Sequence, residues 1–277
     1  MSNRNSQANK QAARERLRAE RERQAKKDRM RRQLTVAGSV VAALAIAGGI
    51  GVALSNMNSG SKNVKVSDKD WRAAAAKTPY KAPANTEGEK GLTIVIGGKT
   101  AKETIDLYED PRCTGCAMFE QRGTGDAVVK GAEDGRYKVR FIMANFIDGM
   151  AGGSGSKNAV SALGAALNVS PEAFLEFKTA LYSAENHPAE RDDAFSDDER
   201  LIEIAQEVKA LKGNKAFEKD VKNGTYDKWG LEMGKLMEKN KVDSTPSLVH
   251  NGKRLATPGD AEELETVLKS AGIGAKK

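Results

Sequence analysis

The sequence predicts an α/β domain that is interrupted by an all-helical insertion and preceded by a single transmembrane helix. Short apolar runs typical of strands occur in two groups, at residues 92–146 and 246–256. Helical periodicity fills most of the chain between these groups. An uncharged apolar run covers residues 34–54, before the first group. Together these observations define the expected architecture.

The positive charge of the chain is confined to its N-terminal tail. The 277 residues carry a formal net charge of +7. Residues 1–33 hold twelve Lys and Arg against four Asp and Glu, and the remaining chain holds 33 basic and 34 acidic residues. A nucleic-acid-binding fold would place a basic face on the domain itself. We therefore expect no nucleic-acid partner, and we interpret residues 1–33 as a basic cytoplasmic tail.

Residues 34–54 are predicted to be a signal-anchor that spans the membrane. These 21 residues contain no charge, and at ~1.5 Å per residue they can cross a ~30 Å hydrocarbon core. Three arginines stand just before the run, so the positive-inside rule places the N-terminus in the cytoplasm and the following domain outside. A cleaved signal peptide is the alternative, because small residues follow the run. Both alternatives predict an exported domain.

The first half of the α/β domain is predicted over residues 91–151. The segment 55–90 before it is polar and contains Pro79 and Pro83, which favours a linker, although a short helix around Trp71 is possible. The strands predicted in the first half are Leu92–Ile96, Thr104–Tyr108 and Tyr137–Phe146. The glycine-rich stretch from Asp148 to Ser156 is interpreted as a plain connection into the insertion.

The helical insertion is predicted over residues 152–240 and the second half of the domain over residues 241–274. Within the insertion, Ser170 is the predicted N-cap of one helix, and a capping box from Ser196 to Glu199 opens another, with an apolar stripe that reaches Leu211. The second half is predicted to contain the strand Pro246–His250, an Asn251–Gly252 hairpin turn, the strand Arg254–Ala256 and a last helix capped by Asp260.

The cysteines of the chain are Cys113 and Cys116, three positions apart. A disulfide that closes so short a loop constrains the unfolded chain little and therefore adds little stability. A purely structural role is thus a weak explanation for the two cysteines. The pair follows a predicted strand and turn, and residues 114–122 are predicted to begin a helix. Unpaired N–H groups at a helix N-terminus favour the thiolate of Cys113, which is the nucleophilic form. Cys116, one turn later, could then resolve a mixed disulfide.

The neighbours of the cysteines are expected to modulate this chemistry. Arg112 would favour the thiolate if its side chain turned toward the sulfur. Thr114 can donate one hydrogen bond to the thiolate, and Gly115 lowers helix propensity where the first turn should be firm. A structural disulfide and a zinc site are the alternatives, but His187 and His250 lie at no finger-like spacing, so we expect no metal.

The segment EDPRCTGCAMFE, residues 109–120, resembles the active-site segment of the DsbA-like branch of the thioredoxin superfamily. The segment DSTPSLVHNGK, residues 243–253, resembles the cis-proline loop and hairpin of that family. The resemblance covers residues 91–273 and implies a thioredoxin fold with an inserted all-helical subdomain. It further implies that the Thr245–Pro246 bond is cis and lies against the Cys113 sulfur, with the Thr245 backbone free to bind an extended substrate peptide.

The sequence departs from the family pattern at two places. Many members carry proline and an aromatic residue or histidine between the cysteines, so we expect a pKa of Cys113 that is less depressed than in the strongest oxidants. The strand before the motif often carries a buried acid six residues ahead of the first cysteine. Leu107 occupies that position here, and Asp106 would point to the other face of the strand. Glu109 or Asp110 could substitute for that acid, but both are expected to be exposed turn acids.

The resemblance implies extracytoplasmic thiol–disulfide exchange, foremost the oxidation of cysteines in exported client proteins, without a cofactor. It also implies a membrane-embedded partner that reoxidises the Cys113–Cys116 pair. A reductase or isomerase is the close alternative, because the direction of exchange depends on the reduction potential. A binding module with a structural disulfide is an alternative of another class, and a peroxidase of the same fold would need a lone peroxidatic cysteine.

Overall fold

A five-stranded mixed sheet forms the centre of the domain in the computed structural model, which describes residues 66–98 and 100–274. The strands are β1 Ile94–Ile96, β2 Thr104–Glu109, β3 Lys138–Met143, β4 Ser247–His250 and β5 Lys253–Arg254. Their order is β1-β3-β2-β4-β5. The β2–β3 pair is parallel and the other pairs are antiparallel. The register aligns Ile94, Phe141, Leu107 and Leu248 in one buried row across the sheet.

Helices pack around this sheet and form the insertion. They are α1 Asp68–Ala75, α2 Thr114–Gln121, α3 Thr124–Glu133, α4 Ile147–Ala151, α5 Gly155–Val169, α6 Pro171–Tyr182, α7 Asp198–Ala205, α8 Lys215–Lys222, α9 Asp227–Lys239 and α10 Ala261–Ser270. Both α3 and α9 pack against β3, and α10 packs against α3. The predicted α/β architecture with a helical insertion is therefore confirmed.

The helix α5 is the centre of the insertion, because it packs against α6, α8 and α9. Its small residues permit this close packing: a Cβ at Gly164 would come within 2.9 Å of the Trp229 ring. Ser170 caps α6 as predicted, and its hydroxyl accepts a hydrogen bond from the backbone N–H of Ala173. The other end of α6 packs against α2, so the insertion reaches the helix that carries the two cysteines.

The start of α7 differs from the predicted capping box by one residue. The N-cap is Asp197, whose carboxylate accepts from the backbone N–H of Glu199. Ser196 instead ends a short 3₁₀ turn, and its hydroxyl donates to the Asp193 carbonyl oxygen. The hydroxyl is therefore already used within the preceding turn. The helix also ends at Ala205, before the end of the apolar stripe.

Residues 66–90 pack against the insertion, where a linker was predicted. Trp71 is buried, and its indole N–H donates to the Asn158 side chain at 3.4 Å. The Asn85 side chain donates to the Leu167 carbonyl oxygen at 2.7 Å, and Asp68 pairs with Lys157 at 2.8 Å. The polar residues that suggested a linker are thus used in contacts with α5.

The predicted cytoplasmic tail, residues 1–33, and the predicted anchor, residues 34–54, lie outside the described residues. Within the described part of the chain, no helix combines the length and the apolar character that crossing a membrane requires.

Candidate active site

The two cysteines lie at the junction between β2 and α2. Cys113 is the N-cap of α2 with an extended backbone, and Cys116 lies in the first helical turn. Cys116 is completely buried, whereas 8% of Cys113 is exposed. Cys113 is therefore the more accessible thiol, as expected, although the surrounding loops cover most of it.

The pKa of Cys113 is lowered from its ordinary value of 9.0 to about 6. The hydrogen bond from the Cys116 thiol is the largest cause and outweighs the opposing effect of burial. The Thr245 side chain and the backbone N–H groups of Cys116 and Gly115 add to the lowering. With a pKa of about 6, Cys113 is mainly a thiolate at neutral pH.

The pKa of Cys116 moves in the opposite direction. Burial is the largest cause and raises this pKa well above its ordinary value, and the hydrogen bond to Cys113 and the charge of Glu109 add to the rise. Cys116 therefore remains a protonated thiol beside the Cys113 thiolate. This divergence gives the two sulfurs different chemical roles.

The cis-proline loop lies directly against Cys113. The Thr245–Pro246 peptide bond is cis, and the Cys113 Sγ is 3.5 Å from the Thr245 carbonyl oxygen. A Cβ on Gly115 would be 3.3 Å from Pro246 Cδ and 3.6 Å from the Cys113 Sγ. Gly115 therefore leaves room for the proline loop beside the sulfur, which the low helix propensity of glycine did not indicate.

Arg112 does not turn toward the Cys113 sulfur. The prediction that its charge would favour the Cys113 thiolate by direct approach is therefore wrong. The Arg112 guanidinium is fully buried and pairs with Asp148 at 2.6 Å and Asp193 at 2.9 Å. It also donates to the Gly152 carbonyl oxygen at 2.9 Å. The Asp148 carboxylate, together with the Asp193 carboxylate and the Gly152 carbonyl oxygen of the insertion, holds Arg112 away from Cys113. The arginine thereby connects the active-site turn to the insertion.

Asp110 is fully buried, so the expectation of an exposed turn acid is wrong here. Its carboxylate accepts from the Ser156 hydroxyl at 2.7 Å, the Arg112 backbone N–H at 3.0 Å and the Ile147 backbone N–H at 3.0 Å. Burial raises its pKa from 3.8 to about 7 against these hydrogen bonds. The glycine-rich stretch that begins at Asp148 is correspondingly an ordered junction, because Asp148 is itself buried.

Glu109 is also fully buried, so the expectation that it would be an exposed turn acid is wrong. It lies in a buried cluster in which Lys178 Nζ is 2.6 Å from the Glu120 carboxylate and 3.3 Å from the Glu109 carboxylate. Burial and then the charge of Glu120 raise the pKa of Glu109 well above its ordinary value, while Lys178 opposes the rise. A Cβ at Gly125 would overlap the Glu120 carboxylate, so glycine is needed there. The family pattern has a buried acid at the position that Leu107 occupies in this chain. Glu109, two residues later, is a buried acid that takes its place.

The remaining residues near the motif have simpler contacts. Asp106 pairs with Arg140 on β3, in agreement with its predicted position on the other face of β2. The Thr114 hydroxyl donates to the Glu190 carboxylate at 3.2 Å. The hydroxyl that was expected to donate to the Cys113 thiolate therefore binds a carboxylate of the insertion.

Sequence reasoning missed Lys178 and Tyr182, which α6 brings to the cysteines. Tyr182 is buried and packs in one cluster with Cys113, Cys116 and Ile147. A signal was present in the sequence, because Lys178 lies four residues after Phe174, on the predicted apolar face of α6. A lysine within an apolar stripe needs a buried carboxylate partner.

This fold and site define a protein of the thioredoxin type, with a reactive and a shielded cysteine at a helix N-terminus beside a cis-proline. A family model described as thioredoxin matches residues 89–270. Because this range is more than half of the sequence, the chain belongs to the thioredoxin family.

Among solved structures, the chain is similar to oxidised DsbA from Mycobacterium tuberculosis. The TM-score is 0.54 at 25% identity, over 66% of this chain and 93% of that chain. The reduced disulfide bond oxidoreductase DsbG from the same organism has a TM-score of 0.54 at 25% identity, over 65% and 88% of the two chains. BdbD from Bacillus subtilis shares the fold, with a TM-score of 0.53 at 18% identity over 69% and 98%.

Among curated proteins, the chain matches the serine/threonine-protein kinase PknE of Mycobacterium tuberculosis. The two are 28% identical over 173 residues, or 59% of this chain. The match spans 28% of the length of the kinase, so it concerns one part of that protein.

Proposed function

We propose that the protein is a DsbA-like thiol–disulfide oxidoreductase that transfers the Cys113–Cys116 disulfide to client proteins. The opposite shifts of the two thiol pKa values carry this proposal. The pKa of Cys113 is lowered to about 6, and the pKa of Cys116 is raised above its ordinary value. A structural disulfide needs no such difference. The similarity to DsbA and DsbG supports the same chemistry.

Oxidation of a client proceeds in two exchanges. A client thiolate attacks the Cys113 sulfur, the Cys113–Cys116 bond breaks, and its electron pair stays on the Cys116 sulfur. A second client thiolate then attacks the client sulfur of this mixed disulfide, and Cys113 leaves as a thiolate. A thiol of low pKa is the better leaving group, so the lowered pKa of Cys113 favours release of an oxidised client.

Glu109 is the acid available to protonate Cys116 after the first exchange. Burial raises its pKa well above the ordinary value, so its carboxyl holds a proton more strongly than an exposed acid would, and in the ionised form its charge raises the pKa of Cys116. After it gives up the proton, Lys178 at 3.3 Å stabilises the carboxylate that forms. The cluster thus connects proton transfer at Cys116 to a lysine supplied by the insertion.

Thr245 and Pro246 form the client-binding edge of the site. The cis peptide places the Thr245 carbonyl beside the Cys113 sulfur, so an extended client segment that pairs with the Thr245 backbone would bring its own sulfur to Cys113. Met118 on α2 and Met150 on α4 are exposed apolar side chains on the helices next to the cysteine cluster. They are suited to contact apolar residues of an unfolded client.

The test uses reduced, unfolded ribonuclease A as the client. The oxidised wild-type protein should form disulfides in it, and Cys113→Ser should abolish the activity. Cys116→Ser carries a single thiol, so it is mixed instead with scrambled, disulfide-containing ribonuclease A. Its Cys113 thiolate should attack a client disulfide, release one client thiolate and accumulate as a mixed disulfide, because the variant has no second thiol that resolves it. If both variants match the wild type and no mixed disulfide forms, the proposal fails. Efficient reduction of insulin without oxidation of ribonuclease A would instead identify a reductase.

We propose further that residues 34–54 anchor the protein in the cell membrane, with the N-terminus cytoplasmic and the catalytic domain outside. The charge-free run and the arginines before it support this orientation. A membrane-embedded partner would then reoxidise Cys113 and Cys116. In a background that lacks both cysteines, Ser59→Cys should react with an impermeant maleimide in intact cells. Ser6→Cys should react only after the cells are permeabilised, and the reverse pattern would refute the orientation.

A further inference from the structure

Tyr182, the last residue of α6, lies in the same buried cluster as the redox pair. It is 1% exposed and packs in one small cluster with Cys113, Cys116, Ala117 and Ile147. Its hydroxyl has no hydrogen-bond partner within the described part of the chain. An unpaired hydroxyl in a buried site is costly, so such a group next to reacting sulfurs suggests a role in the reaction.

The surroundings of Tyr182 hold its ring in place and keep its hydroxyl protonated. Burial, and then the charges of Glu109 and Cys116, raise its pKa well above the ordinary value. Its ring stacks on His187 at a centroid distance of 5.9 Å, and its backbone carbonyl accepts from the Gln121 side chain at 2.8 Å. The hydroxyl can therefore donate a hydrogen bond to a nearby anion, but it does not ionise at neutral pH.

The need for a donor at Cys116 depends on the stage of the exchange. In the dithiol, the Cys116 thiol donates to Cys113 and requires no donor of its own. When a client sulfur has bonded to Cys113, Cys116 becomes a thiolate in a fully buried position. A buried thiolate without a hydrogen-bond donor is strongly disfavoured. The Thr245 side chain approaches both sulfurs from the proline loop, and Tyr182 adds a donor from the insertion.

We propose that the Tyr182 hydroxyl is a catalytic hydrogen-bond donor that stabilises the Cys116 sulfur while it leaves Cys113. This inference rests on the proposed thiol–disulfide exchange. The client thiolate forms the new bond to the Cys113 sulfur as the Cys113–Cys116 bond breaks, and the electron pair of that bond stays on Cys116. Tyr182 donates a hydrogen bond without losing its proton, and the proton that Cys116 finally takes comes from Glu109.

This role has a kinetic consequence that a structural role would not have. The hydrogen bond acts on the charge that develops at Cys116 and is absent from the dithiol end state. Its removal should therefore slow the forward and the reverse exchange by the same factor. The equilibrium constant against glutathione should stay unchanged, because it depends only on the end states.

The experiment compares Tyr182→Phe with Tyr226→Phe in the full-length protein. Tyr226 is also a buried tyrosine, but its hydroxyl lies beside Asp220 and the residue stands outside the cysteine cluster. For each protein, the rates of disulfide reduction by glutathione and of reoxidation are measured between pH 6 and 8. The glutathione equilibrium constant and the pKa of Cys113, from iodoacetamide titration, are measured on the same samples.

Tyr182→Phe should lower both rates by about tenfold, the effect of one hydrogen bond to a charged group, with the equilibrium constant and the Cys113 pKa unchanged. Tyr226→Phe should match the wild type. Rates of Tyr182→Phe within twofold of wild type would overturn the inference, as would an equilibrium constant that shifts with the rate. A wild-type protein without exchange activity would instead overturn the proposed function.

A second measurement covers the case in which Tyr182→Phe does not fold. Incorporation of 3-fluorotyrosine at position 182 keeps the hydroxyl and makes it a stronger donor. The exchange rate should then exceed that of the wild type, and an equal or lower rate would contradict a donor role.

Discussion

The contribution of Cys113 to the stability of the dithiol form should rise between pH 6 and pH 8. The pKa of Cys113 is about 6 in the folded protein and 9.0 in its ordinary state. Below pH 6 the group is a thiol in both the folded and the unfolded chain and contributes nothing. Between pH 6 and 9 only the folded chain holds the thiolate, so the contribution to stability grows with pH, and it is complete above pH 9.

The magnitude follows from the two pKa values. The contribution of the thiolate to the free energy of unfolding is about 0.4 kcal/mol at pH 6, about 1.4 kcal/mol at pH 7 and about 2.7 kcal/mol at pH 8. The disulfide form has no Cys113 thiolate, so it lacks this contribution. At pH 7 the difference favours the dithiol by about 30 mV for a two-electron couple. The reduction potential of the Cys113–Cys116 pair is therefore higher than it would be with an ordinary Cys113 pKa, which makes the disulfide a stronger oxidant.

The assay is urea unfolding of the reduced wild-type protein and of reduced Cys113→Ser at pH 6, 7 and 8. Asp110 and Asp227 also titrate in this range, because burial raises the pKa of each to about 7. Their raised pKa values reduce stability as pH rises, but this effect is present in both proteins and cancels in the difference. The difference should grow by about 2.3 kcal/mol from pH 6 to pH 8. Equal pH dependence in the two proteins would refute a lowered pKa of Cys113.

Other substitutions test single features of the site. Glu109→Gln removes a negative charge near Cys116, so the pKa of Cys116, measured by alkylation in a Cys113→Ser background, should fall. Gly115→Val places methyl groups against Pro246, so the insulin-reduction rate should fall by about tenfold or more while the far-ultraviolet circular dichroism stays unchanged. Arg112→Met removes the buried guanidinium that Asp148 and Asp193 share and leaves only Lys157 beside Asp148. Urea denaturation should therefore show a loss of about 3–5 kcal/mol in the free energy of unfolding.

Each of these expectations has a contradicting result. An unchanged or higher pKa of Cys116 in Glu109→Gln would mean that the carboxyl does not act on that sulfur. Wild-type insulin reduction by Gly115→Val would show that the approach of the proline loop is not tight. A loss below about 1 kcal/mol in Arg112→Met would place the arginine in solvent rather than in a buried ion cluster.

The sequence was sufficient for the architecture because local signals and global topology agree. The strand β2, the cysteine pair at the start of α2, and the caps Ser170 and Asp260 are all specified by residues close to one another in the chain. The cis Thr245–Pro246 bond followed from the family resemblance and is present in the structure. These features depend on short segments, which sequence patterns describe well.

Features that depend on distant residues could not be predicted in this way. Glu109 stands beside a proline in a polar turn, which favours exposure, but Lys178 on α6 supplies the buried positive charge that stabilises it. Arg112 is held by Asp148 and Asp193, which the helical insertion brings together. No pattern along the chain shows which buried charges will meet, because tertiary packing decides it.

The reduction potential of the Cys113–Cys116 pair tests the central claim most directly. It is obtained by equilibrating the full-length protein with a series of glutathione ratios at pH 7 and counting free thiols. An oxidant of exported clients should have a potential between the values typical of DsbA, about −120 mV, and thioredoxin, about −270 mV. A potential at or below about −270 mV would contradict client oxidation and assign the pair to a reductase.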